Sequence, residues 1–208
     1  SIERIEYLAD LLFGAREVFT VSEAFAEIYR KNGFNKIRVN RNGISSSQIW
    51  TPKDTSDSNR VICGHIGGMS AHKGFFLLKK AIEQVQPSHI SMMLVDHSKD
   101  ESYVEKTQWG DVPVTIIGRV PQDCIVDLYR QLDVLFAPSI WPESYGLVTR
   151  EAAACGCWVV ASNLGGIGED VIDGETGIII SPDLTSICDA VEKIDQNAQI
   201  FKQVCGVQ

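Results

Sequence analysis

The feature of this sequence that most constrains its fold is a repeated alternation of short apolar runs with segments of helical periodicity. Six runs have the length of buried strands: 61–66, 90–95, 114–117, 134–137, 158–161 and 178–180. Four segments between or after them predict helices: 75–85, 122–131, 147–154 and 184–194. Strands that alternate with helices of this length are typical of a doubly wound parallel sheet. The sequence therefore predicts an α/β fold with a sheet of about six strands.

A shorter region with its own elements precedes this pattern. These elements are a helix that ends at residue 13, a strand at 18–21, a helix that ends at residue 31 and a strand at 37–39. We predict three parts: a forepart at 1–44, too small for a core of its own, a linker at 45–59, rich in Ser, Thr and Asp, and the sheet domain at 60–208. The sequence begins at Ser1 without Met and enters a helical pattern at once, which suggests a piece of a longer protein.

The composition argues against several classes of function. The chain has 208 residues, a formal net charge of −8 and no run of the roughly 18 apolar residues that a membrane span needs. A nucleic-acid-binding domain would show a basic face, so the charge argues against nucleic acid as a partner. The six cysteines form no C-x-x-C pair, which indicates reduced thiols of a cytoplasmic protein rather than disulfides or a zinc site.

Two glutamates lie around the start of the helix that follows the strand at 132–137. Glu143 precedes the helix, Gly146 opens it, and Glu151 lies inside it. A helix N-terminus at the carboxyl end of a sheet favours phosphate, and Glu151, about one turn further on, would suit the two hydroxyls of a ribose. Each glutamate alone has a plainer interpretation. Glu143 could be a solvated loop carboxylate, and Glu151 a surface residue paired with an Arg, although not with Arg150, which points elsewhere on the helix.

Three blocks of sequence form a wider pattern. They are Glu143 and Glu151 with Ala152 to Gly156, Val159 to Ala161, Gly165-Gly166, Glu169 and Asp173 to Gly177; Gly67 to Gly74; and Val21 to Glu23 with Asn42 to Ile44. On these blocks the chain, from about residue 16 to 194, resembles the retaining glycosyltransferases of family 4. Their fold, glycosyltransferase B, consists of two Rossmann-like domains. The resemblance implies that 60–208 is the C-terminal, nucleotide-sugar-binding domain and that 1–44 is a remnant of the acceptor domain with the crossover.

The resemblance also implies roles for individual residues. Glu143 would be the catalytic residue at the donor sugar, either as nucleophile or as an orienting group. The donor-binding residues would be Gly68, Lys73, Gly74, Arg119, Ser144, Tyr145, Gly146, Leu147, Val148 and Glu151. The sequence has no Asp-x-Asp signature and no pair of histidines spaced as metal ligands, so we expect no metal and no cofactor besides the donor substrate.

Two positions depart from the family pattern. Gly68 occupies the place where many members have an Arg, which would leave Lys73 as the only cation of this loop at the diphosphate. The triplet 96–98, Asp-His-Ser, replaces the Gly-rich turn that usually follows the second strand of the domain. The loop at 67–74 matches neither the phosphate loop of nucleotide hydrolases nor the glycine pattern of NAD enzymes, which argues against both classes.

The predicted activity is transfer of a sugar, with retention, from a nucleotide diphosphate-sugar to a saccharide or lipid-linked saccharide acceptor, as in polysaccharide biosynthesis. The predicted location is the cytoplasm, where the N-terminal domain could contact the inner face of the membrane. We expect this chain alone to be inactive. Two alternatives are a sugar-nucleotide epimerase of the same fold and a non-catalytic module that binds sugar nucleotides, which Gly68 and Asp96 would favour.

Overall fold

The computed structural model describes residues 2–44 and 59–205. Its strands are β1 (Val18–Thr20), β2 (Ile37–Val39), β3 (Val61–His65), β4 (Ile90–Val95), β5 (Val104–Trp109), β6 (Val112–Ile117), β7 (Val134–Ala137), β8 (Trp158–Ser162) and β9 (Gly177–Ile180). Its helices are α1 (Ile2–Gly14), α2 (Glu23–Lys31), α3 (Phe75–Val85), α4 (Ile125–Gln131), α5 (Leu147–Ala154), α6 (Leu184–Gln196) and α7 (Ala198–Phe201), and a short 3₁₀ helix spans Ala71–Lys73.

Seven strands form the main sheet, in the order β5-β6-β4-β3-β7-β8-β9. All neighbours are parallel except β5, which pairs antiparallel with β6. The chain runs outward from β3 to β4 and β6, then returns to the other side of β3 and continues through β7, β8 and β9. The strand order therefore reverses between β3 and β7, and ligands of such sheets bind in the crevice at this switch point.

The predicted doubly wound α/β sheet is confirmed, with one strand more than the six expected. The additional strand is β5, with the sequence Val-Glu-Lys-Thr-Gln-Trp, in which four of six residues are polar. It was missed because an edge strand needs no apolar run, and its charged side chains also discourage pairing with another chain. Strands β5 and β6 form a hairpin after β4, and α7 was not predicted either.

Two helical layers cover the sheet. Helices α3 and α6 bury Leu78, Ile82, Val191 and Ile194 against one face. Helices α4 and α5 cover the other face, α4 with Ile125, Leu128 and Tyr129 and α5 with Ala152. Full burial of an aliphatic side chain contributes about 1.5–3 kcal/mol, so the two layers fix the positions of the loops at the carboxyl ends of the strands.

The forepart forms a separate unit of two parallel strands, β1 and β2, with α1 and α2. Ser22 caps α2 by accepting a hydrogen bond from the amide of Phe25. The predicted linker lies outside the described residues except for Asn59, and the division into three parts stays a prediction. None of the helices in the described ranges is long and apolar enough to cross a membrane.

Candidate functional site

A cleft of about 280 Å³ lies at the switch point between β3 and β7. Most of its lining comes from the end of β3 with the turn that follows, from β7 and the loop between β7 and α5, and from the first turn of α5; Asn42 of the forepart and Ile167 complete it. The predicted site residues among its lining are Lys73, Glu143, Ser144, Tyr145, Gly146, Leu147 and Val148. Two loops that lie 70 positions apart in the sequence are therefore brought to one site.

An ion pair joins the two loops. The Nζ atom of Lys73 lies 2.9 Å from Oε1 of Glu143, and both side chains are largely buried, with 32% and 16% of their surface exposed. Among the described residues, this oxygen of Glu143 has no other polar partner. The cleft therefore has a cation and a carboxylate in direct contact at its centre.

Gly74 lets the lysine loop approach β7 closely. It has a φ of 76°, and a Cβ at this position would lie 1.9 Å from the carbonyl oxygen of Pro138. The Ser139 hydroxyl and the Ile140 amide both donate hydrogen bonds to the His72 carbonyl, at 2.9 and 3.0 Å. Gly74 thus does not line the cleft, and its role is to fix Lys73 against the loop that contains Glu143.

The N-terminus of α5 opens toward the cleft. Gly146 precedes the helix with a φ of 81°, and a Cβ there would lie 2.8 Å from the side chain of Ile167. The first amides of a helix have no acceptor within it and present a partial positive charge. Thr149 holds the turn in place by hydrogen bonds to the carbonyls of Gly146 and Ile167, at 2.8 and 2.9 Å. This terminus is suited to bind an anion such as a diphosphate.

The backbone of the glycine pair 165–166 packs against the backbone of the loop that contains Glu143. The amide of Gly166 donates to the carbonyl of Glu143 at 2.7 Å. A Cβ on Gly165 would lie 2.3 Å from the same carbonyl, and one on Gly166 would lie 2.6 Å from that of Ser144. The close approach of the two backbones requires glycine at both positions, and the amide of Gly166 is used within the protein.

Glu151 lies under the cleft rather than in its lining. The residue is only 8% exposed. Its carboxylate accepts hydrogen bonds from the Tyr129 hydroxyl at 2.9 Å and from the Gln122 amide at 3.3 Å. Burial, and then the adjacent carboxylate, raise the pKa of Tyr129, so its hydroxyl stays a donor. The plainer interpretation of Glu151 as a surface residue is wrong, because its side chain is buried, and its predicted contact with a ribose stays a prediction.

Like Gly74 and Glu151, the predicted donor-binding residues Gly68 and Arg119 do not line the cleft. Gly68 has a φ of 74°, and a Cβ there would lie 3.0 Å from the ring of His97. An Arg at this position would be strained in this backbone conformation, which explains the departure from the family pattern. Arg119 is exposed and forms an ion pair with Asp100 at 3.2 Å. The described geometry gives neither residue a direct contact with a ligand in the cleft.

Arg150 is a structural residue of the site that sequence reasoning passed over. It is buried, and its guanidinium donates to Asp170 at 2.6 Å, to the Gly166 carbonyl at 3.1 Å and to the Tyr145 carbonyl. It also lies over the Tyr145 ring, 3.6 Å from the centroid. Arg150 thereby ties the start of α5 to the glycine pair. A buried charge needs partners of this kind, but the sequence alone gave no sign of which ones.

Within residues 2–44 and 59–205, no group of three or more His, Cys, Asp or Glu side chains is arranged to hold a metal ion. The cation next to Glu143 is the ammonium of Lys73 instead. That the reaction needs no metal remains a prediction.

Solved structures show the class of fold. Sucrose-phosphate synthase from Thermosynechococcus elongatus superposes with a TM-score of 0.78 at 22% identity, over 98% of this chain and 55% of that one. HepE from Anabaena, solved in complex with UDP-glucose, superposes with a TM-score of 0.73 at 23% identity, over 92% of this chain and 57% of that one. The fold is that of one half of a glycosyltransferase B protein.

The sequence comparisons show the family. The model for the glycosyl transferases group 1 family matches residues 60–197, and the chain belongs to this family. A D-inositol 3-phosphate glycosyltransferase from Rhodococcus jostii is 46% identical over 67 residues, which are 32% of this chain and 15% of that protein. The chain spans half or less of the length of the curated relatives that align with most of it. The narrower assignment to family 4 stays a prediction.

Proposed function

We propose that this chain is the donor-binding part of a retaining glycosyltransferase that uses a nucleotide diphosphate-sugar. The observation that supports this best is the Lys73–Glu143 ion pair, which lies in one cleft with the N-terminus of α5. A diphosphate needs a cation and free amides, and the donor sugar needs an acidic residue close to its anomeric carbon. The cleft has all three within the lining of a single cavity.

In this proposal the two loops act on different parts of the donor. Lys73 and the amides of Leu147 and Val148 bind the diphosphate and stabilise the negative charge that develops on it as it leaves. Glu143 faces the donor sugar, where a carboxylate opposes positive charge at the anomeric carbon. Both groups already lie in the cleft of the free protein, next to the positions proposed for the diphosphate and the sugar.

The donor displaces part of an existing contact when it binds. Lys73 is neutralised by Glu143 in the free protein, and a diphosphate competes with this carboxylate for the ammonium. When Lys73 turns to the diphosphate, Glu143 loses its cationic partner and becomes available to the sugar. Binding of the leaving group and release of the acidic residue are thereby coupled.

The resemblance in fold to a protein solved with UDP-glucose makes uridine the first base to test. A thermal-shift panel of UDP, GDP and ADP on residues 1–208 would measure binding, because a ligand at a hundred times its dissociation constant adds about 2.7 kcal/mol of stability. We expect at least one nucleotide to raise the melting temperature and Lys73→Met to abolish the shift. Lys80→Met, at an exposed position of α3 outside the cleft, is the matched control. No shift with any of the three at millimolar concentration would contradict the proposal.

A further inference from the structure

A buried histidine lies in the same cleft and has no role in the proposal above. His65 is the last residue of β3 and is 2% exposed. The ladder between β3 and β7 ends at Gly64 and Leu135. At the next residue of each strand, a side chain replaces the backbone hydrogen bond between the strands. The Nδ1 atom of His65 lies 3.0 Å from the carbonyl oxygen of Phe136. Its other nitrogen, Nε2, lies 3.1 Å from the carbonyl oxygen of Gly68.

Both ring nitrogens of His65 therefore face acceptors. A neutral imidazole has one N–H and can donate to only one of the two carbonyls, whereas an imidazolium donates to both. In the neutral form a lone pair of the other nitrogen points at a carbonyl oxygen, which is an unfavourable contact in a buried site. The arrangement is fully satisfied only when the ring is charged.

The surroundings of the ring nevertheless oppose the charge in the free protein. Burial lowers the pKa of His65 below its ordinary value of 6.5, the two carbonyls oppose this shift, and the charges of Lys73 and His97 add to it. Glu143 lies beyond Lys73 and neutralises that ammonium in part. His65 is therefore neutral above pH 7, and one of its two hydrogen bonds is missing.

One of the two acceptors of His65, the carbonyl of Gly68, belongs to the turn that positions Lys73. A Cβ on Gly67 would lie 3.2 Å from the Lys73 side chain and 3.3 Å from the His65 ring, so the turn is packed between them. His97 contacts the same turn, with its Nε2 2.8 Å from the carbonyl oxygen of Ile66. A proton on His65 would thus fasten the turn against which the stem of Lys73 rests.

We propose that His65 is a positioning residue that takes up one proton from solvent when a nucleoside diphosphate binds, and so locks the turn at Gly67 and Gly68. The inference depends on the proposed function, since it needs the diphosphate to bind next to Lys73. The diphosphate brings at least two negative charges into the cleft and offsets the Lys73 charge, which raises the pKa of a neighbouring imidazole. The proton adds to whichever ring nitrogen lacks one, and no bond between heavy atoms changes.

Calorimetric titration of residues 1–208 with UDP, GDP and ADP tests this. Each titration is run at pH 8, where the nucleotide itself is fully ionised, in two buffers of different ionisation enthalpy. The difference in apparent heat gives the protons taken up, and we expect about one per nucleotide bound. His65→Gln, which can donate to one carbonyl but cannot ionise, should show none. His72→Gln is the matched control because its ring is exposed and outside the cleft lining, and it should match the wild type.

A second measurement needs no variant. The ¹⁵N chemical shifts of the His65 ring should report a neutral imidazole in the free protein at pH 8 and an imidazolium in the nucleotide complex. Nucleotide binding without proton uptake, uptake that persists in His65→Gln, or a charged ring in the free protein would each overturn the role of His65 and leave the proposed function standing. Failure of all three nucleotides to bind would overturn the proposed function, and the inference with it.

Discussion

At the residue scale, the two glutamates of the sequence motif have different environments and so should have different effects. Glu143 lies in the cleft and pairs with Lys73. Glu151 lies below it, bonded to Tyr129 and Gln122. The surrounding sequence pattern and the family resemblance pointed to both residues, but they could not show that one is a partner of the lysine and the other a buried support.

We predict that only Glu151→Gln, and not Glu143→Gln, weakens nucleotide binding. Glu151→Gln should weaken UDP binding by about 1–3 kcal/mol, the range for a lost charged hydrogen bond, which is roughly a five- to 150-fold rise in Kd. Glu143→Gln should leave the affinity unchanged or increase it, because it removes the carboxylate that competes for Lys73, and it should abolish transfer in a catalytically complete protein. Calorimetry on both variants measures this, with melting temperatures as the control for folding. Equal losses of affinity would show that the division of roles is wrong.

Residues in local sequence patterns could be predicted, whereas contacts between segments that are distant in the sequence could not. Lys73, Gly146 and Glu143 were predictable because each lies in a local pattern tied to a strand end or a helix start. The Lys73–Glu143 contact itself, the two bonds of His65 and the partners of Arg150 depend on which strands become neighbours. A single sequence does not give strand order, so these contacts could not be predicted from it.

At the scale of elements, the strands buried on both faces were predicted well and the edge strand was not. Strands β3, β4, β7 and β8 contain mostly apolar residues because helices cover both faces of the sheet. Strand β5 is at the edge with a polar sequence, and its pairing with β6 comes from the tight hairpin at Gly110, not from an apolar run. A buried strand can be predicted from its run of apolar residues, whereas an exposed strand with a polar sequence gives no such signal.

Helix α2 allows a prediction at this scale, since it joins the forepart to the cleft. The hydroxyl of Ser22 accepts from the Phe25 amide and donates to the carbonyl of Ser144, at 2.6 Å, and Ser22 is fully buried. Ser22→Ala should therefore cost about 1–3 kcal/mol, as the sum of a lost cap and an unsatisfied carbonyl. Urea unfolding measures the loss. Ser102→Ala, at an exposed turn position, should change stability by less than about 0.5 kcal/mol.

The same substitution should also weaken nucleotide binding, because Ser144 lies in the cleft lining next to Glu143. We expect the affinity for UDP to fall in Ser22→Ala and to remain at the wild-type value in Ser102→Ala. A loss of stability without any loss of affinity would mean that the forepart supports the fold but does not position the cleft.

At the scale of the whole molecule, the forepart and the sheet domain meet at the cleft, whose lining includes Asn42 of the forepart. Glu169 accepts hydrogen bonds from the first amides of α2, those of Glu23 and Ala24, at 3.2 and 3.1 Å. Arg41 forms ion pairs with Glu169 and Asp170, at 3.0 and 3.1 Å, and Asp170 also binds Arg150. A continuous set of polar contacts therefore runs from the forepart to the start of α5. A shift of the forepart would change the positions of Asp170 and Arg150 next to the cleft.

The last prediction concerns catalysis by residues 1–208 as they stand. The chain spans 55% of the length of a solved protein with the same fold. Transfer needs the acceptor to be held at the anomeric carbon and water to be excluded, and misplacement alone can cost a factor of about 100. We therefore expect residues 1–208 to bind the nucleotide but to transfer sugar at least about a hundredfold more slowly than a longer version of the protein that includes an acceptor domain.

Product analysis with a UDP-sugar and a saccharide acceptor measures both rates, and EDTA should leave the faster one unchanged if no metal takes part. Equal rates for the two proteins would show that the described cleft already contains the acceptor site and that the predicted domain boundary is wrong.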